Sequence, residues 1–362
     1  MGSTQLNAES GRNGMKLSSL LWLLPLALLG LVVYVSFSAL RADPRGPEKP
    51  PVVVQPNSGE AAYPRKIVES NGHEVIVKSR PLRIVPSDCG PADMLAAVVD
   101  PKMIAALPDT VDTFGGASDF YKNNPQIPRF QKFDTETVLS YKPDMVIFTT
   151  YRDPAIASYF ESRGITVVRF ENFRTFDGIR GSFAAIGHAV GEDEKTKIAT
   201  DAFDSRLKAI EAAYSGRTKP RVISYSNYGS GFAVGTGESE DEVLRRAGAI
   251  NIASELNLAG HVNFSFEQML KANPDWIVTF GDQGLDSQQA RFLLTEPTLA
   301  NLDAIKQKHI AVIPDKYYSS ISQYILDATE ILAKQLHADA FPKKDDAKEN
   351  SGTGVPAREP AK

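Results

Sequence analysis

The sequence predicts an α/β protein of two similar lobes, each a mainly parallel sheet covered by helices, joined by one long rigid helix. Three observations predict it. The stretch FDTETVLSYKPDMVI from Phe133 returns without a gap as FSFEQMLKANPDWIV from Phe264, and duplication on that scale suggests two like units. Short apolar runs alternate with helix-like segments in both halves of the chain, the pattern of parallel sheets covered by helices. Between the halves, residues 175–214 carry no proline and no strand-like alternation.

Residues 1–16 read as a polar tail. Residues 17–40 carry no charge, with Lys16 before them and Arg41 after, and are long enough to span a bilayer core. Two readings stay open: a cleaved signal peptide beginning at Met15-Lys16 with Ser36-Phe37-Ser38 as its cleavage site, or a retained transmembrane anchor. Either way the body is expected to be exported, in the periplasm or tethered to the outer face of the cytoplasmic membrane. No cysteine lies near the end of the apolar run, which argues against a lipoprotein. Residues 41–62 hold Pro44, Pro47, Pro50, Pro51 and Pro56 and read as a semi-extended linker. Residues 343–362 are polar and read as a disordered tail.

The first lobe is expected over 63–174, with strands at 83–86, 103–106, 145–149 and 165–170 and helices at 91–99 and 154–163. A helical region follows over 175–214. From Glu192 onward, Ile198, Ala202, Phe203, Leu207, Ile210 and Ala213 share one broad helical face, and Gly216 suits the end of that helix. The second lobe, 215–342, is expected to carry strands at 221–226, 276–280 and 310–314 and helices at 240–247 and 299–306. In such sheets ligands bind outside the carboxyl ends of the strands.

Net charge is −4 and no Lys/Arg cluster appears, which argues against a nucleic-acid partner. A single cysteine, Cys89, excludes an internal disulfide and a CxxC metal site, and Cys89 reads as a small buried apolar residue. The five histidines are scattered without metal-ligand spacing, and His261 reads as a loop residue. No metal ligand, cofactor or catalytic residue is expected. Gly235-Thr236-Gly237 lacks the third glycine of a dinucleotide loop, and no G-x-S-x-G elbow is present.

Local physics accounts for much of the repeat. Asp134 and Ser265 are good N-caps, and Ser265 with Gln268 makes a capping box. Phe133 with Val138, and Phe264 with Met269, make hydrophobic staples. Pro143 and Pro274 stop the helices. Glu136 and Glu267 therefore stand in first turns, where a carboxylate favours the helix dipole by roughly 0.3–1 kcal/mol. A helix feeding a parallel strand starts near the sheet's carboxyl edge, so the two glutamates are expected at the mouth of the cleft, one per lobe. There they offer two fixed negative points to a positively charged partner.

At this point the chain resembles the periplasmic substrate-binding proteins of the iron–siderophore and vitamin B12 ABC-importer class. The resemblance runs from about Tyr63 to Pro342. It is carried in order by NGHEVIVKSRPLRIVPSD, FDTETVLSYKPDMVIF, GITVVRF, RVISYSNYGSGFAVGTG, EVLRRAGAINIASEL and FSFEQMLKANPDWIVTF. It implies Rossmann-like lobes, a monomer and no enzymatic activity. It also implies a metal chelate held between the lobes, and salt bridges from Glu136 and Glu267 to arginines of a permease that works with an ATPase. A membrane-tethered sensor of the same fold, or a two-lobed α/β enzyme, are the alternatives.

Candidate ligand contacts lie just past strand ends: Ser87, Asp88, Tyr151, Arg152 and Phe173 in the first lobe, and Tyr225, Tyr228, Phe232, Asp282 and Tyr317 in the second. The Gly-rich loop over residues 109–125 is expected to form one wall. Aromatic rings supply rigid surface for a bulky ligand. Arg152 suits anionic oxygens, unless it merely pairs with Asp153. That places a ferric siderophore first as ligand, with cobalamin and haem next.

Overall fold

The computed structural model describes residues 52–53 (as backbone), 62–69, 72–318 and 320–341. The apolar run at 17–40 and the tail at 343–362 lie outside the described residues.

Strand β1 (Val52–Val53) pairs antiparallel with β2 (Arg65–Val68), which pairs with β3 (Glu74–Val77). The proline-rich segment thus includes a strand on the first lobe. The lobe's parallel sheet follows: β4 (Ile84–Pro86), β7 (Met145–Thr149) and β8 (Thr166–Phe170), with Ile84 opposite Met145 and Met145 opposite Thr166. Every residue of β7 is buried, as expected of a central strand covered on both faces.

The strand expected at 103–106 does not form. Pro101 opens a 3₁₀ turn over Pro101–Met103, and the Asp100 side chain accepts the Lys102 N–H and winds the chain tightly. What remains is one bridge, Ile84 to Ile104, before the short strands β5 (Leu107–Pro108) and β6 (Arg129–Phe130) pair. Of the helix expected at 299–306 only Asp303–Lys306 forms; Pro297 opens a separate 3₁₀ turn over Pro297–Leu299, and Leu302 is extended between the two.

The middle of the chain folds as two helices, Phe176–Val190 and Asp193–Ala213. Gly191 ends the first in the left-handed region, φ +79°, which glycine adopts without steric cost. The second helix has 21 residues, so it is about 30 Å long. Its start meets the first lobe, where Lys195 donates to the Val98 carbonyl. Farther along, Arg206 pairs with Asp327 and Glu330, and Glu211 with Arg246, all in the second lobe.

That lobe carries a sheet in the order β12 (His261–Asn263), β10 (Gly231–Val234), β9 (Arg221–Asn227), β13 (Trp276–Phe280), β14 (Ile310–Ile313), with the short β11 (Ile250–Asn251) also pairing with β9. Strands β9, β13 and β14 run parallel, and β10 and β12 form an antiparallel edge. Three apolar clusters hold the molecule together. One lies in the first lobe around Phe133, Val138, Phe148 and Phe160, and one in the second around Tyr225, Phe264, Met269 and Ile277. The third and largest is shared. It runs from Met94, Leu95 and Phe183 through Phe203 to Val222, Leu244 and Leu332, so the lobes meet through a continuous core.

The repeated segments fold alike. Asp134 accepts the Thr137 N–H at 2.9 Å, and both bonds of the Ser265–Gln268 capping box are made. The aspartates of Pro143-Asp144 and Pro274-Asp275 turn back to the neighbouring strand. Asp144 accepts from the Leu82 and Arg83 N–H groups, and Asp275 from that of Arg221. Arg83 and Arg221 in turn donate to the carbonyls that end the two helices.

Candidate functional site

Past the carboxyl ends of strands in both lobes stand large apolar side chains left partly in water. Phe114, Tyr151, Tyr228 and Leu285 follow β5, β7, β9 and β13, and all stand 38–41% exposed. Such residues, three of them aromatic, are the candidates for a binding surface.

In the first lobe, Phe173 stacks on Phe170, with centroids 5.8 Å apart and planes at 14°, and meets Tyr151 edge-on at 5.8 Å. Beside them lies a polar knot. Arg152 donates to the Asp88 carboxylate through Nε at 2.9 Å and Nη2 at 2.5 Å, and to the Ser87 carbonyl at 3.1 Å. Its guanidinium sits 5.0 Å from the centre of the Phe133 ring and 5.8 Å from that of Tyr151. The Asp88 carboxylate also accepts from the Ser87 hydroxyl at 2.6 Å. Burial works to raise its pKa, but the bonds and charge of Arg152, with the hydroxyls of Ser87 and Tyr151, bring it below the ordinary aspartate range. Arg152 therefore pairs with Asp88, not with Asp153, which caps the next helix.

Two expected contacts are turned away from the cleft. Ser87 is fully buried, its hydroxyl shared between Asp88 and Thr149. Tyr225 lies in the second lobe's own core against Phe266, because it alternates with Ser224 and Ser226 along β9 and takes the opposite face of the strand. The other face of β9, through Ser224, meets a second aromatic group. Tyr228 stacks on Phe280 at 5.9 Å, Phe280 meets Tyr318 at 4.8 Å, and the Tyr318 hydroxyl bonds to Ser224 at 2.6 Å. Phe232, opposite Ser226 and Asn263 in the edge hairpin, is half-buried. Tyr317 stacks on Tyr324 at 6.5 Å under the Lys316 ammonium. Asp282 is exposed and accepts the Asp315 N–H; burial and Asp282 together raise the Asp315 carboxyl.

The lobes also touch through polar groups. Asp93, buried in the first-lobe helix Cys89–Val98, accepts from the Gly116 and Ala117 N–H groups, the Tyr121 hydroxyl and the Ser322 hydroxyl. It thereby fixes the loop at 109–125 and ties it to the second-lobe segment between β14 and the helix Ile325–Leu336. Cys89 is partly buried beside Thr110, and burial pushes its thiol up to about 12. On the other side, Arg174 stands 3.9 Å from Glu238. Behind it lies His261, a strand residue rather than a loop residue. Its Nδ1 is 3.9 Å from Glu238 and its Nε2 3.7 Å from Glu240. Burial and the Glu240 charge lift the Glu238 carboxyl to about 7. Burial lowers His261, but the Glu240 bond and both carboxylate charges outweigh it and raise the imidazole. Sequence reasoning missed Asp93 and Phe280. For Phe280 the alternation along β13 held the signal; for Asp93 nothing local did.

Glu136 and Glu267 are both exposed, each in the first turn of its helix and without an intramolecular partner among the described residues.

A family model described as periplasmic binding protein matches residues 88–317. A cobalamin-binding protein of Halobacterium salinarum is 22% identical over 206 residues, 56% of this chain, and the match spans just over half, 56%, of that relative's length. An uncharacterized ABC transporter substrate-binding lipoprotein of Bacillus subtilis is 22% identical over 288 residues, 77% of this chain and 87% of that one. Among solved structures, the apo periplasmic heme-binding protein of Roseiflexus sp. RS-1 superposes with a TM-score of 0.62 at 19% identity. The match covers 72% of this chain and 99% of that one, a likeness of fold.

Proposed function

We propose that this chain, which belongs to the periplasmic binding protein family, is the solute-binding component of an ABC importer. It captures a metal chelate between its lobes and delivers it to a membrane permease, and through it to the ATPase. The observation that carries this reading is the collar of exposed Phe114, Tyr151 and Tyr228 at the carboxyl ends of sheets in both lobes, on a frame whose lobes share one core. A bulky chelate needs rigid apolar faces more than it needs reactive groups. The cargo is a ferric siderophore first, with cobalamin, the ligand named for the archaeal relative, and haem next. The protein works outside the cytoplasmic membrane as a monomer. Glu136 and Glu267 are its two contacts with the permease, since each is exposed and has no partner of its own among the described residues.

The test is quenching of intrinsic fluorescence by a panel of ferric hydroxamates, ferric catecholates, cobalamin and haem. Trp276, half-buried and stacked on His309 at 4.4 Å, reports weakly on the cleft, so tyrosine emission is followed as well. Saturable quenching by a member of the panel is expected. Absence of binding across the panel rejects the assignment.

A further inference from the structure

This inference rests on the cleft reading above and sharpens it to the charge of the cargo. The geometry points to Asp88 as a specificity-determining residue that masks Arg152 and turns the cleft against anionic chelates.

Arg152 is the cation nearest the first-lobe collar, and its planar fork would ordinarily grip a carboxylate or catecholate of the ligand. In the structure one edge of the fork, Nε with Nη2, is filled from within. Asp88 takes Nε and Nη2, and the Ser87 carbonyl takes a further bond from Nη2. The pair is largely enclosed, with 29% of the arginine side chain and 13% of the aspartate side chain exposed. Asp88 is also held by the hydroxyl of Ser87, itself buried and fixed by Thr149, so it is not a flexible counter-ion that swings aside. Burial with these partners leaves its pKa below the ordinary range, and the mask stays charged at neutral pH. An anionic ligand that took this bidentate edge would have to pull Arg152 off Asp88 and leave a buried carboxylate without its partner, a large penalty, and one that reached only Nη1 would meet a charge Asp88 already neutralises.

The rest of the collar leaves one cation without an acidic partner among the described residues, Lys316, and sets two carboxylates against it. Arg174 is turned to Glu238. Lys316 lies over the Tyr317 ring and reaches the Ser118 hydroxyl. On the second lobe, Asp282 and Asp315 add negative charge past β13 and β14. A site that rejects one ligand class through an internal charge discriminates by a built-in cost rather than by a better fit to the other class.

The experiment compares the purified exported body of the chain, residues 42–362, which forms one compact unit, with its Asp88→Asn variant and the Asp88→Asn/Arg152→Gln double variant. The probes are a ferric trihydroxamate, which is uncharged, and a ferric tris-catecholate, which is a polyanion. The wild type is expected to bind the uncharged chelate at least about tenfold more tightly. Asp88→Asn should shift the ratio of the two affinities toward the polyanion by about tenfold or more, and the double variant should abolish that shift. Equal affinity for both chelates in the wild type overturns the proposal, as does a shift that persists without Arg152. The wild-type ratio alone is decisive, so a variant that fails to fold does not shield the proposal. If no variant binds either chelate while cobalamin or haem binds the wild type, the charge mask is rejected and the binding-protein reading stands. Failure of every ligand rejects both.

Discussion

Glu242 of the second lobe accepts the backbone N–H of Phe176, the first residue of a first-lobe helix, at 2.7 Å. Both partners are buried. A carboxylate from one lobe thus caps a helix of the other, satisfying a donor that the helix leaves free and meeting the positive end of its dipole. Replacement by alanine removes the acceptor and leaves a buried N–H. Glu242→Ala is expected to lower stability by about 1–3 kcal/mol, read from urea unfolding. A change within about 0.5 kcal/mol, as at ordinary surface positions, would show that the bond does not join the lobes.

Charge reversal at Glu136 and Glu267 separates delivery from capture. The double variant Glu136→Lys/Glu267→Lys is expected to stop uptake in cells while leaving the affinity of the purified protein within about twofold of wild type. Unchanged uptake refutes the docking assignment, and lost affinity would mean that the two side chains serve the cleft instead.

The cluster behind Arg174 predicts a pH dependence. The Glu238 pKa is raised from 4.5 to about 7, so the folded state holds a proton that the unfolded chain has lost. Its contribution to stability is complete below pH 4.5 and disappears as pH rises through about 7. His261, also raised, has the same sign: its contribution is lost as pH rises through a folded value above 6.5. Glu240 is lowered by its bond to His261 and acts oppositely, losing its contribution as pH falls below 4.5. Melting temperature is therefore expected to decline between about pH 5 and 8, and Glu238→Gln should flatten that decline. A variant with the wild-type slope would assign the pH dependence elsewhere.

Gly116 tests the contact between the 109–125 loop and the second-lobe segment that opens the helix Ile325–Leu336. A Cβ there would land on the Tyr324 ring. Gly116→Ala is expected to cost about 1–3 kcal/mol through overpacking, with no backbone strain, because Gly116 is outside the left-handed region. If Gly116→Ala unfolds in urea like the wild type, the segment is not tightly seated.

The repeat was legible because its reasons are local. A cap, a staple and a proline act within a few residues, so Asp134, Ser265, Phe133 and Phe264 declared two helix starts that the structure reproduces. Strands β7 and β13 were legible as apolar runs after Pro-Asp. The cleft was less so. Ser87 and Tyr225 sit at strand ends like Asp88 and Tyr228, and only the face each takes decides between core and cleft. The Asp88–Arg152 pair joins residues 64 positions apart, and the Asp93–Ser322 bond residues 229 apart. No window of sequence contains either. Arg152 advertised a free positive charge because its neutralising partner, Asp88, is supplied by the start of a distant helix.

The apolar core that runs unbroken from Met94 to Leu332 makes the molecule a caliper with its screw tightened. If Glu136 and Glu267 are the docking tips proposed above, the gap between them is held by this shared core, and a permease that meets them reads a spacing fixed far from either tip.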